Sequence, residues 1–111
     1  MAAPGERVLV EILSFEGCPN RDTTIELVAR VATELDPEPE IRVVDVDDVE
    51  TAERLRFLGS PTIRVDGRDI EPGADERTDY TLSCRIYRTD GGSSGRPDER
   101  WLRAALSSAS D

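Results

Sequence analysis

Two residues in this chain carry the chemistry that side chains do most readily without a cofactor. Cys18 sits in the stretch Ser-Phe-Glu-Gly-Cys-Pro-Asn-Arg-Asp, residues 14–22, and Cys84 sits in Leu-Ser-Cys-Arg-Ile-Tyr-Arg, residues 82–88. The thiolate, not the thiol, is the nucleophile and the soft-metal ligand. Pro19 is suited to the first position of a helix, where its missing N–H has no partner to lose. Cys18 is then expected to cap that helix, its sulfur facing unpaired N–H groups and the positive end of the helix dipole. Arg21 adds a cation one turn further on. Glu16 and Asp22 oppose negative charge on sulfur, but exposed acids are screened by water and salt, so the helix end and Arg21 are expected to outweigh them. The alternative is that Cys18 is a small buried hydrophobe, as free cysteines often are.

The rest of the composition narrows the chemistry. The 111 residues contain 24 acids and 14 bases, every base is arginine, and there is no histidine. The chain therefore has no imidazole to serve as general base or metal ligand, which excludes Ser-His-Asp and Cys-His catalysis within it. Two cysteines without histidine do not complete a four-ligand structural zinc site. No cofactor is expected, and metal binding reduces to Cys18 and Cys84 as ligands for a soft ion such as Hg(II) or Cu(I). If the two thiols approach, Cys84 is instead a resolving cysteine for a mixed disulfide or sulfenic acid on Cys18. A disulfide requires Cα atoms within about 7 Å, and spacing leaves that open.

Asp45, Asp47, Asp48 and Glu50 form an acidic run. A hard-cation site is one reading. A strand end followed by a helix cap is the favoured one, because Asp47 and Glu50 have capping-box spacing. Ser83, Arg85 and Arg88 flank Cys84 and are expected on a solvated strand face, with capture of an anion as the alternative. A net charge of −10 repels nucleic acid and anionic lipid. The start of the chain shows no basic segment followed by a long apolar one, so no signal peptide is read, and no stretch is long enough to span a bilayer. The expectation is a cytoplasmic protein of one domain. Nothing in the sequence specifies an oligomeric state.

The elements that must position these residues follow from periodicity. Arg7–Phe15 reads as a buried strand. Asn20–Leu35 repeats apolar residues at helical spacing and is closed by Pro37 and Pro39. Glu40–Val46 reads as a strand. A helix from Val49 to Leu58 follows, with Asp47 as cap and Gly59 as its end. Asp66-Gly67 between Thr62–Val65 and Arg68–Glu71 is the signature of a two-residue hairpin. Residues 72–80 read as a loop, Thr81–Arg88 as a strand or extended surface segment, and 89–97 as a flexible loop. Pro97 opens a closing helix, and Trp101 and Tyr87 are expected at the edge of the core. The first strand–helix–strand unit should be right-handed and parallel, in an α/β fold with a mixed central sheet and helices on both faces.

This order, with Cys18 between the first strand and helix and Ser60-Pro61-Thr62 before the hairpin, resembles the thioredoxin-like superfamily over roughly Arg7–Glu71 and the last helix. The resemblance implies that Cys18 takes the place of the nucleophilic cysteine and Pro61 that of a cis proline beside it, with Pro19, Arg21, Ser60 and Thr62 around the substrate groove. The motif reads Cys18-Pro19-Asn20-Arg21, so arginine replaces the second cysteine, as in one-cysteine members. The chain is also similar to small bacterial proteins described as thioredoxin family or alkylmercury-lyase-like. In the lyase-like version Asp22 would be the proton donor, although true organomercurial lyases carry an additional helical region. The implied activity is thiol-dependent oxidoreduction or thiol transfer on a thiol or disulfide, small or protein. Soft-metal or organomercurial capture, and a non-enzymatic interaction module, are the alternatives.

Overall fold

A computed structural model describes residues 7–110; the opening residues, on which the signal-peptide reading rests, lie outside it. Strand β1 (Leu9–Ser14) leads into helix α1 (Arg21–Ala32), followed by strand β2 (Glu40–Asp45) and helix α2 (Val49–Arg54). Strands β3 (Thr62–Val65) and β4 (Arg68–Asp69) form the hairpin around Asp66-Gly67, and Ala74–Glu76 make one 3-10 turn. Strands β5 (Tyr87–Thr89) and β6 (Gly92–Ser94) precede helix α3 (Glu99–Ser110).

The main sheet has the order β2-β1-β3-β4. β1 is parallel to β2 and antiparallel to β3, so the sheet is mixed, as expected. Strand alternation divides β1 between two cores. Val10 and Ile12 meet Leu27, Val28 and Val31 of α1, Ile63 and Val65 of β3, and Leu102 and Leu106 of α3. Leu13 points the other way, onto Val46, Ala52 of α2 and Phe57. Helices thus cover both faces of an α/β fold. β2 is an edge strand whose Ile41 and Val43 remain 37% and 40% exposed.

Several local boundaries differ from the sequence expectation. The cap of α2 is Asp48, not Asp47: its Oδ1 accepts the Thr51 N–H at 2.7 Å. α2 ends at Arg54, before Gly59. Arg56 takes the left-handed position (φ 56°), and the Phe57 and Arg56 amides return to the Ala52 and Glu53 carbonyls, a Schellman closure built on arginine where glycine is usual. β4 stops at Asp69, where the carboxylate accepts the Glu71 N–H and turns the chain. The stretch expected as a loop at 89–97 holds the β5–β6 hairpin, with Thr89 paired to Gly92 across Asp90-Gly91. This is the same dipeptide signal that marks the first hairpin.

α1 and α3 are joined at the surface by Arg30–Glu99 at 2.8 Å and by Arg103, which meets both Glu34 and Glu99 at 2.9 Å. Hydrogen bonds from Arg103 and Arg30 hold the Glu34 and Glu99 carboxyls below their ordinary value of 4.5. A carboxyl depressed in the folded state contributes stability above its unfolded pKa and loses it as pH falls through the folded one. The urea midpoint is therefore expected to be flat at neutral pH and to fall progressively below about pH 4.5. Because these pairs are exposed, 1 M salt should shrink that acid-side slope. An unchanged slope in salt, followed by tryptophan fluorescence, would assign the acid loss to other groups.

Candidate functional site

Cys18 lies in two consecutive turns between β1 and α1. Its N–H donates to the Phe15 carbonyl at 3.3 Å, with Gly17 at φ 89° completing the first turn. Its carbonyl accepts from the Arg21 N–H at 3.2 Å, with Pro19 inside the second. The helix cap is Asn20, so Cys18 stands two residues before it rather than at the cap itself. The expectation that Pro19 opens the helix is corrected: proline's fixed φ serves the turn that feeds the helix. Cys18 is 7% exposed and Cys84 is exposed, and both are free thiols.

A cavity of about 420 Å³ opens beside Cys18, lined by Glu16, Gly17, Arg21, Asp22, Asp45 and Asp47. It carries four carboxylates and one guanidinium. Arg21 Nε donates to Ser14 Oγ at 3.2 Å, and its terminal nitrogens lie 3.7 Å from Asp22 and from Asp45. The cation that the sequence placed near the sulfur is thus shared with the two adjacent strand ends, because β2 brings Asp45 level with Ser14 in parallel register.

The proline segment lies at the same end of the sheet. Thr62 pairs with Leu13, one residue from the end of β1, so Ser60 and Pro61 stand beside the Cys18 loop's origin. The Ser60–Pro61 bond is cis. Ser60, Pro61 and Thr62 are all buried. Thr62 Oγ1 donates to the Gly59 carbonyl at 2.7 Å, and the Tyr87 hydroxyl donates to the Pro61 carbonyl. Pro19 is exposed at the surface of the turn.

Cys84 reaches this end by pairing rather than by a long strand. It forms an isolated parallel bridge to Ser60, in which the Ser60 N–H donates to Ser83 O at 2.8 Å and the Arg85 N–H to Ser60 O at 2.9 Å. Gly59 permits the approach: a Cβ there would lie 2.9 Å from Arg85 Cβ. After β6 the chain comes back to the start of α1, where a Cβ on Gly95 would lie 2.2 Å from Asn20 Nδ2.

Arg85 is not on a solvated face. Its side chain is 1% exposed. One terminal nitrogen donates to Thr62 Oγ1 and Asp69 Oδ2 at 2.9 and 2.7 Å, the other to Glu71 Oε1 at 2.8 Å. The guanidinium lies 4.5 Å above the Tyr87 ring, a cation–π contact. Burial pushes the Tyr87 phenol far above its usual range, with Arg85 working against the shift, so Tyr87 remains a donor to Pro61. Tyr87 is fully buried and stacks obliquely on Trp101, with ring centroids 5.9 Å apart. Of these supports of the proline segment, Tyr87 was expected at the edge of the core, whereas Arg85 was expected on a solvated face and its burial was missed in sequence. The signal was the alternation of residues 84–88, which puts Arg85 and Tyr87 on one side and Ile86, 71% exposed, on the other. Among the described residues no helix is long and apolar enough to cross a membrane.

No protein-family model, curated protein or solved structure matches the chain.

Proposed function

We propose that the chain is a thioredoxin-like, thiol-dependent oxidoreductase or thiol-transfer protein with Cys18 as nucleophile and Cys84 as resolving thiol. The observation that carries the reading is convergence. The Cys18 turn, the Ser60-Pro61-Thr62 segment and the Cys84 bridge to Ser60 all lie at one end of the mixed sheet. Cys18 as thiolate attacks one sulfur of a substrate disulfide; that S–S bond breaks, a mixed disulfide forms, and the departing thiolate takes a proton from water. Cys84 as thiolate then attacks the Cys18 sulfur, releases the second substrate thiol and leaves a Cys18–Cys84 disulfide. A thiol reductant in a reducing, cytoplasmic setting returns both to thiols.

Four carboxylates against one guanidinium around the cavity favour a cationic disulfide over an anionic one. Cystamine is therefore the probe. In the reduced, folded protein it is expected to give a Cys18–Cys84 disulfide, identified by peptide mass spectrometry. In Cys84→Ser the cysteamine adduct should accumulate on Cys18. Glutathione disulfide, which is anionic, should react several-fold more slowly at low salt, and the gap should close as salt screens the cavity. Modification confined to Cys84, with Cys18 protected until the protein unfolds, would refute the proposal. Stoichiometric Hg(II) uptake that needs both thiols, without exchange, would replace it with soft-metal capture.

A further inference from the structure

At the hairpin edge of the sheet, on the face covered by α2, four arginines surround one cavity of about 190 Å³: Arg56, Arg64, Arg68 and Arg77, with Tyr80 beside them. The chain as a whole has a net charge of −10, so a concentration of guanidinium groups runs against its general field. Two carboxylates share the wall, Asp69 and Asp75. Asp69 is already committed, with both oxygens on Arg85. Asp75 approaches Arg68 no closer than 3.7 Å, with both side chains largely exposed. Arg77 is bonded to Asp79 and Glu71.

Arg56 and Arg64 have no carboxylate at ion-pair distance among the described residues. Arg64 is half-buried, and its Nη2 donates to the Leu55 and Arg56 carbonyls at 2.6 and 3.2 Å, where α2 ends. Burial holds its guanidinium below the ordinary value, against the opposing influence of Asp69 and Glu11. Its hydrogen bonds go only to backbone carbonyls, and the carboxylates that act on it, Asp69 and its cross-strand neighbour Glu11, lie beyond ion-pair distance. Arg56 is exposed and holds the left-handed position that glycine occupies with less strain. Its backbone conformation gives no reason for an arginine there, and its side chain lines the cavity.

We propose that this cavity binds a small oxyanion of the phosphate class through Arg56, Arg64 and Arg68. Guanidinium forks match the oxygens of phosphate in geometry as well as charge. Pockets for drug-sized ligands run from about 300 to 1,000 Å³, so a cavity this small admits a phosphate or a small phosphomonoester rather than a nucleotide.

The test uses the full chain and inorganic phosphate, with sodium chloride at matched ionic strength as reference. Thermal midpoint and phosphorus NMR linewidth are read together. The parent protein is expected to show a saturable rise in midpoint and line broadening with phosphate. Arg56→Gly removes one guanidinium while suiting the backbone, so it should melt no lower than the parent yet bind phosphate about tenfold more weakly, and Arg68→Ala should act in the same sense. Methyl phosphate competing at the same site identifies a phosphomonoester as ligand; exclusion of methyl phosphate with retention of phosphate identifies the free ion. Equal effects of phosphate and chloride, or undiminished phosphate binding in Arg56→Gly and Arg68→Ala, overturn the proposal.

Discussion

Arg85→Met should lower the free energy of unfolding by roughly 3–5 kcal/mol. The reason is what the substitution leaves behind. Asp69 and Glu71 are only 10% and 17% exposed, and Arg85 is the cation that both contact at hydrogen-bond distance. Removing Arg85 leaves Asp69 without an ion-pair partner and Glu71 with only Arg77, at 3.4 Å, in a medium that solvates their charges poorly. Methionine conserves most of the buried volume, so cavity formation is the smaller part of the loss. Lysine should not rescue the site, because a single ammonium cannot reach Thr62, Asp69 and Glu71 together or lie flat on the Tyr87 ring. Adding Asp69→Asn and Glu71→Gln to Arg85→Met should recover part of the stability, since neither position then buries a charge that Arg85 compensated. Urea unfolding followed by Trp101 fluorescence measures all of these. A change within about 0.5 kcal/mol for Arg85→Met, the level of an ordinary surface substitution, would remove the buried network from the account of this fold.

Gly59→Ala is expected to cost roughly 2–5 kcal/mol, the sum of backbone strain and overpacking. Gly59 has φ 124°, a conformation that side chains resist, and its added Cβ would meet Arg85 Cβ at 2.9 Å, Ser83 O at 3.1 Å and Arg85 Cα at 3.2 Å. Two of these contacts are backbone, so no rotamer change relieves them. Relief requires segment 83–85 to move away from Ser60, which breaks the bridge that brings Cys84 to the Cys18 end of the sheet. The substitution should therefore couple stability to the site: amide exchange at Ser60 and Arg85 should accelerate, and formation of the Cys18–Cys84 disulfide with cystamine should slow. Gly67→Ala is the control, because Gly67 has φ 85° but nothing within 4 Å of an added Cβ. If the two alanine variants lose equal stability, the close approach of the Cys84 segment contributes nothing.

Much of the architecture was legible in the residues. The apolar period marked α1 and the closing helix, Asp66-Gly67 marked the first hairpin, and the strand–helix–strand order implied a parallel β1–β2 pair, all of which are present. These features depend on neighbours a few residues apart, and spacing of that range is what a sequence displays directly. It also determined that any thiol chemistry must proceed without imidazole, since the chain has no histidine. Helix ends were less legible. Asp47 and Asp48 are equivalent as caps by composition, and the chain's path out of β2 makes Asp48 the one whose carboxylate meets the Thr51 N–H. Likewise Asn20 rather than Cys18 caps α1, because two successive turns lie between the strand and the helix. The Asp90-Gly91 hairpin had a local signal equal to that of the first, hidden by the glycines and serines around it.

The Arg85 network was decided by tertiary structure alone. An arginine beside a cysteine in an alternating segment is ordinarily a surface residue, because an ionised side chain is costly to bury. Its burial here depends on carboxylates 14 and 16 residues earlier, on a tyrosine ring beneath it and on a threonine 23 residues back. Those partners fall on no common period. They meet because β4 turns at Asp69 and because Gly59 lets segment 83–85 pair with Ser60. The phase of that segment buries Arg85 and Tyr87 together on one side and leaves Ile86 71% exposed on the other.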